Sequence, residues 1–153
     1  MTKLAQAIRN VIELEMGAAR FYDKLVAKVS DPAVCEFLEK MAHQERQHAE
    51  AIQGMAIRFE AGELPHQADS SKTSRIETAP GWGDGENVTL EQAIDLAIEA
   101  ENSAALYYDA MSDFFEGEGL QFFQKMVACE EQHAENLRAL KAGQPPARAT
   151  GKL

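Results

Sequence analysis

The sequence predicts an all-α fold, an antiparallel four-helix bundle made of two helical hairpins and a long connection between them. Apolar residues recur at helical spacing in four separate segments. The last two segments repeat motifs of the first two, which a duplicated hairpin explains economically. The Gly-, Pro- and Ser-rich stretches fall between segments.

The first helix is expected over about 4–29, its apolar stripe formed by Leu4, Ile8, Val11, Ala18, Tyr22, Val26 and Val29. Ser30-Asp31-Pro32 ends it and starts the second, expected over 32–61, with Asp31 as N-cap and Pro32 as first helical residue. Val34, Leu38, Met41, Ile52, Met55 and Phe59 form its stripe. Residues 62–88 read as a long connection. Thr89 and Gln92 have capping-box spacing and open the third helix, expected over 89–115. Gly117 and Gly119 mark a turn, and the fourth helix follows over 119–141. Gly143, Pro145 and Pro146 introduce a basic tail, 142–153, expected to fray.

The repeat is specific. Phe37-Leu38-Glu39-Lys40-Met41 matches Phe122-Phe123-Gln124-Lys125-Met126, and Glu45-Arg46-Gln47-His48-Ala49-Glu50 matches Glu130-Glu131-Gln132-His133-Ala134-Glu135. Glu15, Ala18 and Tyr22 share the spacing of Glu101, Ala104 and Tyr108.

On a helical wheel, each helix carries one glutamate inside its apolar stripe: Glu15, Glu45, Glu101 and Glu130. Two of them are followed, three residues on, by a histidine on the same face, His48 and His133. Glu13 and Glu99 point away, as do Glu50 and Glu135. One such glutamate is ordinarily a boundary residue reaching for solvent. Four in phase need another explanation, because removing an unpaired carboxylate from water costs several kcal/mol. Two divalent cations would offset the four charges, and imidazoles would complete their shells.

The glutamates are also level. The midpoint between Glu15 and Glu45, and that between Glu101 and Glu130, fall within a residue or two of the expected turns. The connection is long enough to run the length of the bundle, so the third helix could start at either end, or pack in a partner chain. Tyr22 and Tyr108 suit either plain core packing or hydrogen bonding to a ligand carboxylate. His43 and His66 read as solvated, and Cys35 and Cys129 as packing residues at the stripe edges.

A chain of 153 residues with a formal net charge of −10 is one acidic globular domain, which disfavours nucleic acid and anionic membrane surfaces as partners. No apolar run approaches the ~20 residues a membrane helix needs. Two isolated cysteines, with no Cys-x-x-Cys pair, argue against a zinc ribbon, a rubredoxin-type iron site and a thioredoxin-type redox pair. With no basic segment leading into an apolar run at the N-terminus, a cytoplasmic location is expected.

The ordered set of Glu15, Glu45/His48, Glu101 and Glu130/His133, with the two Glu-x-x-Ala-x-x-x-Tyr segments, resembles the rubrerythrin branch of the ferritin-like superfamily. The resemblance implies a ferritin-like bundle with two iron ions on these six residues, Glu45 and Glu130 bridging and each histidine capping one ion. It implies an oxidoreductase of peroxidase or ferroxidase type acting on peroxide or dioxygen, and a homodimer whose hairpins could be exchanged. Manganese or zinc could bind the same oxygen and nitrogen donors. This chain lacks the four cysteines of the rubredoxin-like domain that rubrerythrins append, so a separate electron-donor protein is expected. Ala104 stands where the family carries an extra glutamate, which withholds the family's redox-linked ligand exchange. Bacterioferritins share the six ligands but bind haem through a methionine at the position of Arg46, and no haem is expected. An iron-binding, storage or delivery role is the alternative; a metal-free helical module is disfavoured by the buried carboxylates.

Overall fold

The computed structural model describes residues 3–62, 76, 80–82 and 88–143. Among the described residues there are four helices: α1 (Lys3–Val26), α2 (Pro32–Glu60), α3 (Leu90–Ser112) and α4 (Gly117–Lys141). His66 and most of the connection lie outside the described residues, as does the tail beyond Gly143.

The starts of α2 and α3 follow their caps. The Asp31 side chain accepts from Ala33 N at 2.9 Å ahead of Pro32. Thr89 and Gln92 bond each other reciprocally, at 3.1 and 2.9 Å. Three other ends differ from expectation. α1 stops at Val26 rather than Val29, because Lys28 N turns back to Leu25 O and Val29 N to Val26 O, tightening the chain before Pro32. α3 stops at Ser112 rather than 115, where Asp113, Phe114 and Phe115 close similar tight turns. α4 begins at Gly117, so Gly117 and Gly119 lie in its first turn and not in a loop. Gly117 has φ +57°, a conformation glycine adopts without penalty.

Long-range pairs fix the directions. Arg9 meets Glu60 and Asp23 meets Arg46, so fourteen residues forward on α1 match fourteen back on α2. Tyr108 meets Glu15 and Tyr22 meets Glu101, so α1 and α3 are antiparallel too. His133 with Gln44 and Arg58 with Glu118 give the same relation for α2 and α4. Hence α3 starts at the end of the bundle opposite to where α2 finishes, and both hairpins of one chain close the bundle. The connection must climb its length. Ile76 is fully buried and its carbonyl accepts from Tyr107 Oη at 2.9 Å, while Trp82 packs further along on Phe21 and Tyr22.

The apolar core is split axially. One cluster gathers Ile8, Val11, Ile52, Met55, Met111, Phe114, Phe123 and Met126. The other gathers Phe21, Leu25, Leu38, Met41, Ile94, Ala97 and Leu137. In every helix the stripe glutamate falls between the two. A polar layer therefore crosses the middle of the bundle. α1 also buries Phe21 and Leu25 beside its expected stripe, Phe21 lying under Trp82 of the connection.

Two glycine substitutions test this packing. A Cβ on Gly119 would stand 2.6 Å from Cδ1 of buried Phe115, so Gly119→Ala is expected to cost about 1–3 kcal/mol in denaturant unfolding. A Cβ on Gly17 would meet Trp82 Cβ at an ordinary 3.7 Å, so Gly17→Ala is expected to stabilise by about 0.5–1 kcal/mol.

Candidate metal centre

Glu15, Glu45, Glu101, Glu130, His48 and His133 are each 0% exposed. α1 and α3 each supply one glutamate, and α2 and α4 each supply a glutamate and a histidine one turn on. Their side-chain donors fall into two overlapping groups, Glu15, Glu45, His48 and Glu130, and Glu45, Glu101, Glu130 and His133. Within each group one donor atom per residue lies within 4.8 Å of the others. Glu45 and Glu130 belong to both.

The two groups are related as the sequence halves are. His48 Nδ1 lies 3.5 Å from Glu15 Oε2 and 3.4 Å from Glu130 Oε1. His133 Nδ1 lies 2.7 Å from Glu45 Oε1 and 3.6 Å from Glu101 Oε2. Although the first of these His133 contacts is short, neither atom forms a regular hydrogen bond. The imidazoles stack nearly parallel, with centroids 5.8 Å apart at 9°.

Each tyrosine reaches across to the opposite hairpin. Tyr22 Oη donates to Glu101 Oε1 at 2.7 Å, and Tyr108 Oη donates to Glu15 Oε1. Both phenols are fully buried, and burial together with the facing carboxylates pushes their pKa well up, so they stay protonated donors. Of the two sequence readings, the hydrogen-bonding one describes what they do.

The carboxylate oxygens divide unequally. Glu15 and Glu101 each have one oxygen held by a tyrosine and one, Oε2, without a hydrogen-bond partner. Glu45 and Glu130 have no hydrogen-bond partner on either oxygen. Six inward carboxylate oxygens beside two imidazole Nδ1 atoms form a donor set that fits two cations with borderline-to-hard preferences. Without cations the layer is strained electrostatically. Burial, then the neighbouring carboxylates, drive the Glu45 and Glu130 carboxyls well above their ordinary range. Glu101 goes the other way: burial would raise it, but contacts with Glu130 and His133 outweigh that. Burial opposes charge on both histidines, yet the surrounding acidic groups raise them.

Two participants were missed from sequence. Gln44 is 5% exposed, and its Oε1 accepts from His133 Nε2 at 3.0 Å, which turns Nδ1 toward the carboxylates. Cys129, read as a packing residue, is buried and neighbours His48, whose imidazole pKa its thiol helps to raise. Each immediately precedes a stripe glutamate, Gln44-Glu45 and Cys129-Glu130, so aligning the halves one residue further would have paired them. His43, Glu13, Glu50, Glu99 and Glu135 are exposed, as expected. Arg46 turns outward to Asp23.

The signs of these shifts set a pH dependence. A group whose folded pKa is raised adds stability below its unfolded value and loses it as pH rises through the folded one. Glu45, Glu130 and both histidines act in this direction, Glu101 against it. Metal-free protein is therefore expected to lose thermal stability as pH climbs above the usual carboxylate range of about 4. Metal ions compete with protons for the same atoms, so their stabilising effect should grow over that interval. Melting temperatures from pH 5 to 8, with and without zinc, check both signs.

Among the described residues, no helix is long and apolar enough to cross a membrane. The sequence matches the rubrerythrin family model over residues 6–141. No curated protein and no solved structure gives a significant match. With a match spanning most of its length and a buried glutamate–histidine layer able to hold a pair of metal ions, the chain belongs to the rubrerythrin family.

Proposed function

We propose that this protein is a non-haem di-iron oxidoreductase of peroxidase or ferroxidase type, reacting with peroxide or dioxygen and re-reduced by a separate electron-donor protein. Glu15, Glu45, His48, Glu101, Glu130 and His133 would hold the two ions, Glu45 and Glu130 belonging to both donor groups. One observation carries this reading: the inward oxygens number one each on Glu15 and Glu101 and two each on Glu45 and Glu130. If each shared glutamate offers one oxygen to each ion, both ions receive three oxygens and one imidazole nitrogen. The two donor groups divide in that same way.

Bound iron supplies one-electron redox chemistry in the layer. The chain's own residues fix where it happens. Tyr22 and Tyr108 clamp the outer oxygens of Glu101 and Glu15, so their inner oxygens face the centre. Gln44 holds the His133 imidazole through Nε2, and the Cys129 thiol neighbours that of His48. The apolar clusters on both sides keep bulk water out of the layer, which strengthens every charge interaction inside it. Ala18 and Ala104, three residues beyond Glu15 and Glu101, are fully buried, so the chain works with four glutamates and has no carboxylate at the family's exchanging position. A homodimer and a cytoplasmic location remain part of the proposal.

Anaerobic titration with ferrous iron is expected to saturate at about two ions per chain, and peroxide should then oxidise both. Glu130→Ala removes two inward oxygens and should reduce the stoichiometry to one or none. Diferrous protein inert to both peroxide and dioxygen would sink the oxidoreductase reading. Retention of hundreds of ions per chain would favour storage instead.

A further inference from the structure

We infer that Trp82 and Tyr22 form a one-electron relay between solvent and the carboxylate layer, serving one side of the bundle only. The inference rests on the redox reading above, since it supposes a one-electron oxidant in the layer.

The path is short and continuous. Tyr22 is fully buried, and its hydroxyl donates to Glu101 Oε1 at 2.7 Å. The Trp82 ring centroid lies 5.3 Å from that of Tyr22, at 63°, in edge contact. Trp82 itself is only half-buried, so one residue spans the distance from the surface to the ring bonded to Glu101. It is the chain's one tryptophan. Indole and phenol are the aromatic side chains that give up an electron most readily, whereas phenylalanine does not.

The other side of the layer has no such outlet among the described residues. Tyr108, the repeat equivalent of Tyr22, contacts Phe123, which is fully buried, and Tyr107, which is 4% exposed and capped by the Ile76 carbonyl. Trp82 belongs to the connection, the part of the chain that the duplication does not repeat. Two equivalent tyrosines thereby acquire different surroundings: among the described residues one leads outward and the other meets only buried rings.

Electrons and protons balance along the route. The oxidant in the layer takes one electron from Tyr22, and the phenolic proton moves to Glu101 along the existing hydrogen bond. Trp82 then gives one electron to the tyrosyl radical, and Glu101 returns the proton to Tyr22. Trp82 Nε1 is shielded from solvent and has no hydrogen-bond partner among the described residues, so the indole keeps its proton and becomes a radical cation. A one-electron donor restores it at the surface: the separate electron-donor protein of the proposed function, for which ascorbate stands in below.

The test separates this relay from the iron chemistry. In zinc-loaded and in metal-free full-length protein, azidyl radicals from pulse radiolysis take one electron from Trp82. Its radical should relax in a first-order step, independent of protein concentration, as a tyrosyl signal grows: this is the relay's own exchange run in reverse, and it reports whether the Trp82–Tyr22 contact carries an electron. Tyr22→Phe should slow this step at least tenfold, and Tyr108→Phe should leave it unchanged. Equal decay in wild type and Tyr22→Phe, or slowing in Tyr108→Phe instead, would overturn the relay. In iron-loaded protein, Trp82→Phe keeps an aromatic ring on Phe21 and should slow ascorbate reduction of the oxidised centre at least tenfold. An unchanged rate counts against the relay. Iron that peroxide and dioxygen cannot oxidise would defeat the redox reading while the radiolysis result still stood or fell by itself.

Discussion

Four carboxylates share one buried layer, and the cost of keeping them there shapes the rest of the molecule. Each is fully excluded from solvent, and a buried unpaired carboxylate costs several kcal/mol even after relaxation. Glu15 and Glu101 receive one strong hydrogen bond apiece from a tyrosine, whereas Glu45 and Glu130 receive none. The apolar clusters above and below the layer must therefore hold the helices together around a centre that is costly without cations. Binding free energy then becomes folding free energy, as it does wherever ligands are assembled by a fold and not present in the unfolded chain.

Pseudo-symmetry explains why the layer is so regular. A duplicated hairpin gives each half a lone glutamate with a tyrosine seven residues on, and a Glu-x-x-His pair. Antiparallel packing of the halves brings Tyr22 to Glu101 and Tyr108 to Glu15, and it stacks the two imidazoles face to face. The symmetry breaks at particular residues. An amide on Gln44 bonds His133, and the Cys129 thiol neighbours His48, so the two histidines differ in the groups beside them. The connection breaks it again by laying Trp82 beside Tyr22.

Much of this was legible in the sequence because helical periodicity is a strong signal and a glutamate within an apolar stripe violates it visibly. Glu15, Glu45, Glu101 and Glu130 stand out on that ground alone, and the i, i+3 spacing brings His48 and His133 with them. Gln44 and Cys129 were not legible, since a glutamine at a stripe edge is commonplace and a buried cysteine usually packs as a small hydrophobe. The ends of α1 and α3 were overestimated because Val29 and Phe115 continue the apolar rhythm, while tight backbone turns that periodicity cannot register end the helices. The direction of α3 was undetermined for a different reason: a connection of that length permits either end, and only contacts such as Tyr22–Glu101 decide it.

The central claim is that cations sit among these carboxylates. Crystals grown with ferrous iron and measured at the iron absorption edge test it directly. Two anomalous peaks are expected, one among Glu15, Glu45, Glu130 and His48, the other among Glu45, Glu101, Glu130 and His133. Density elsewhere in the bundle, or no anomalous signal in the layer of well-ordered iron-soaked protein, would contradict the account.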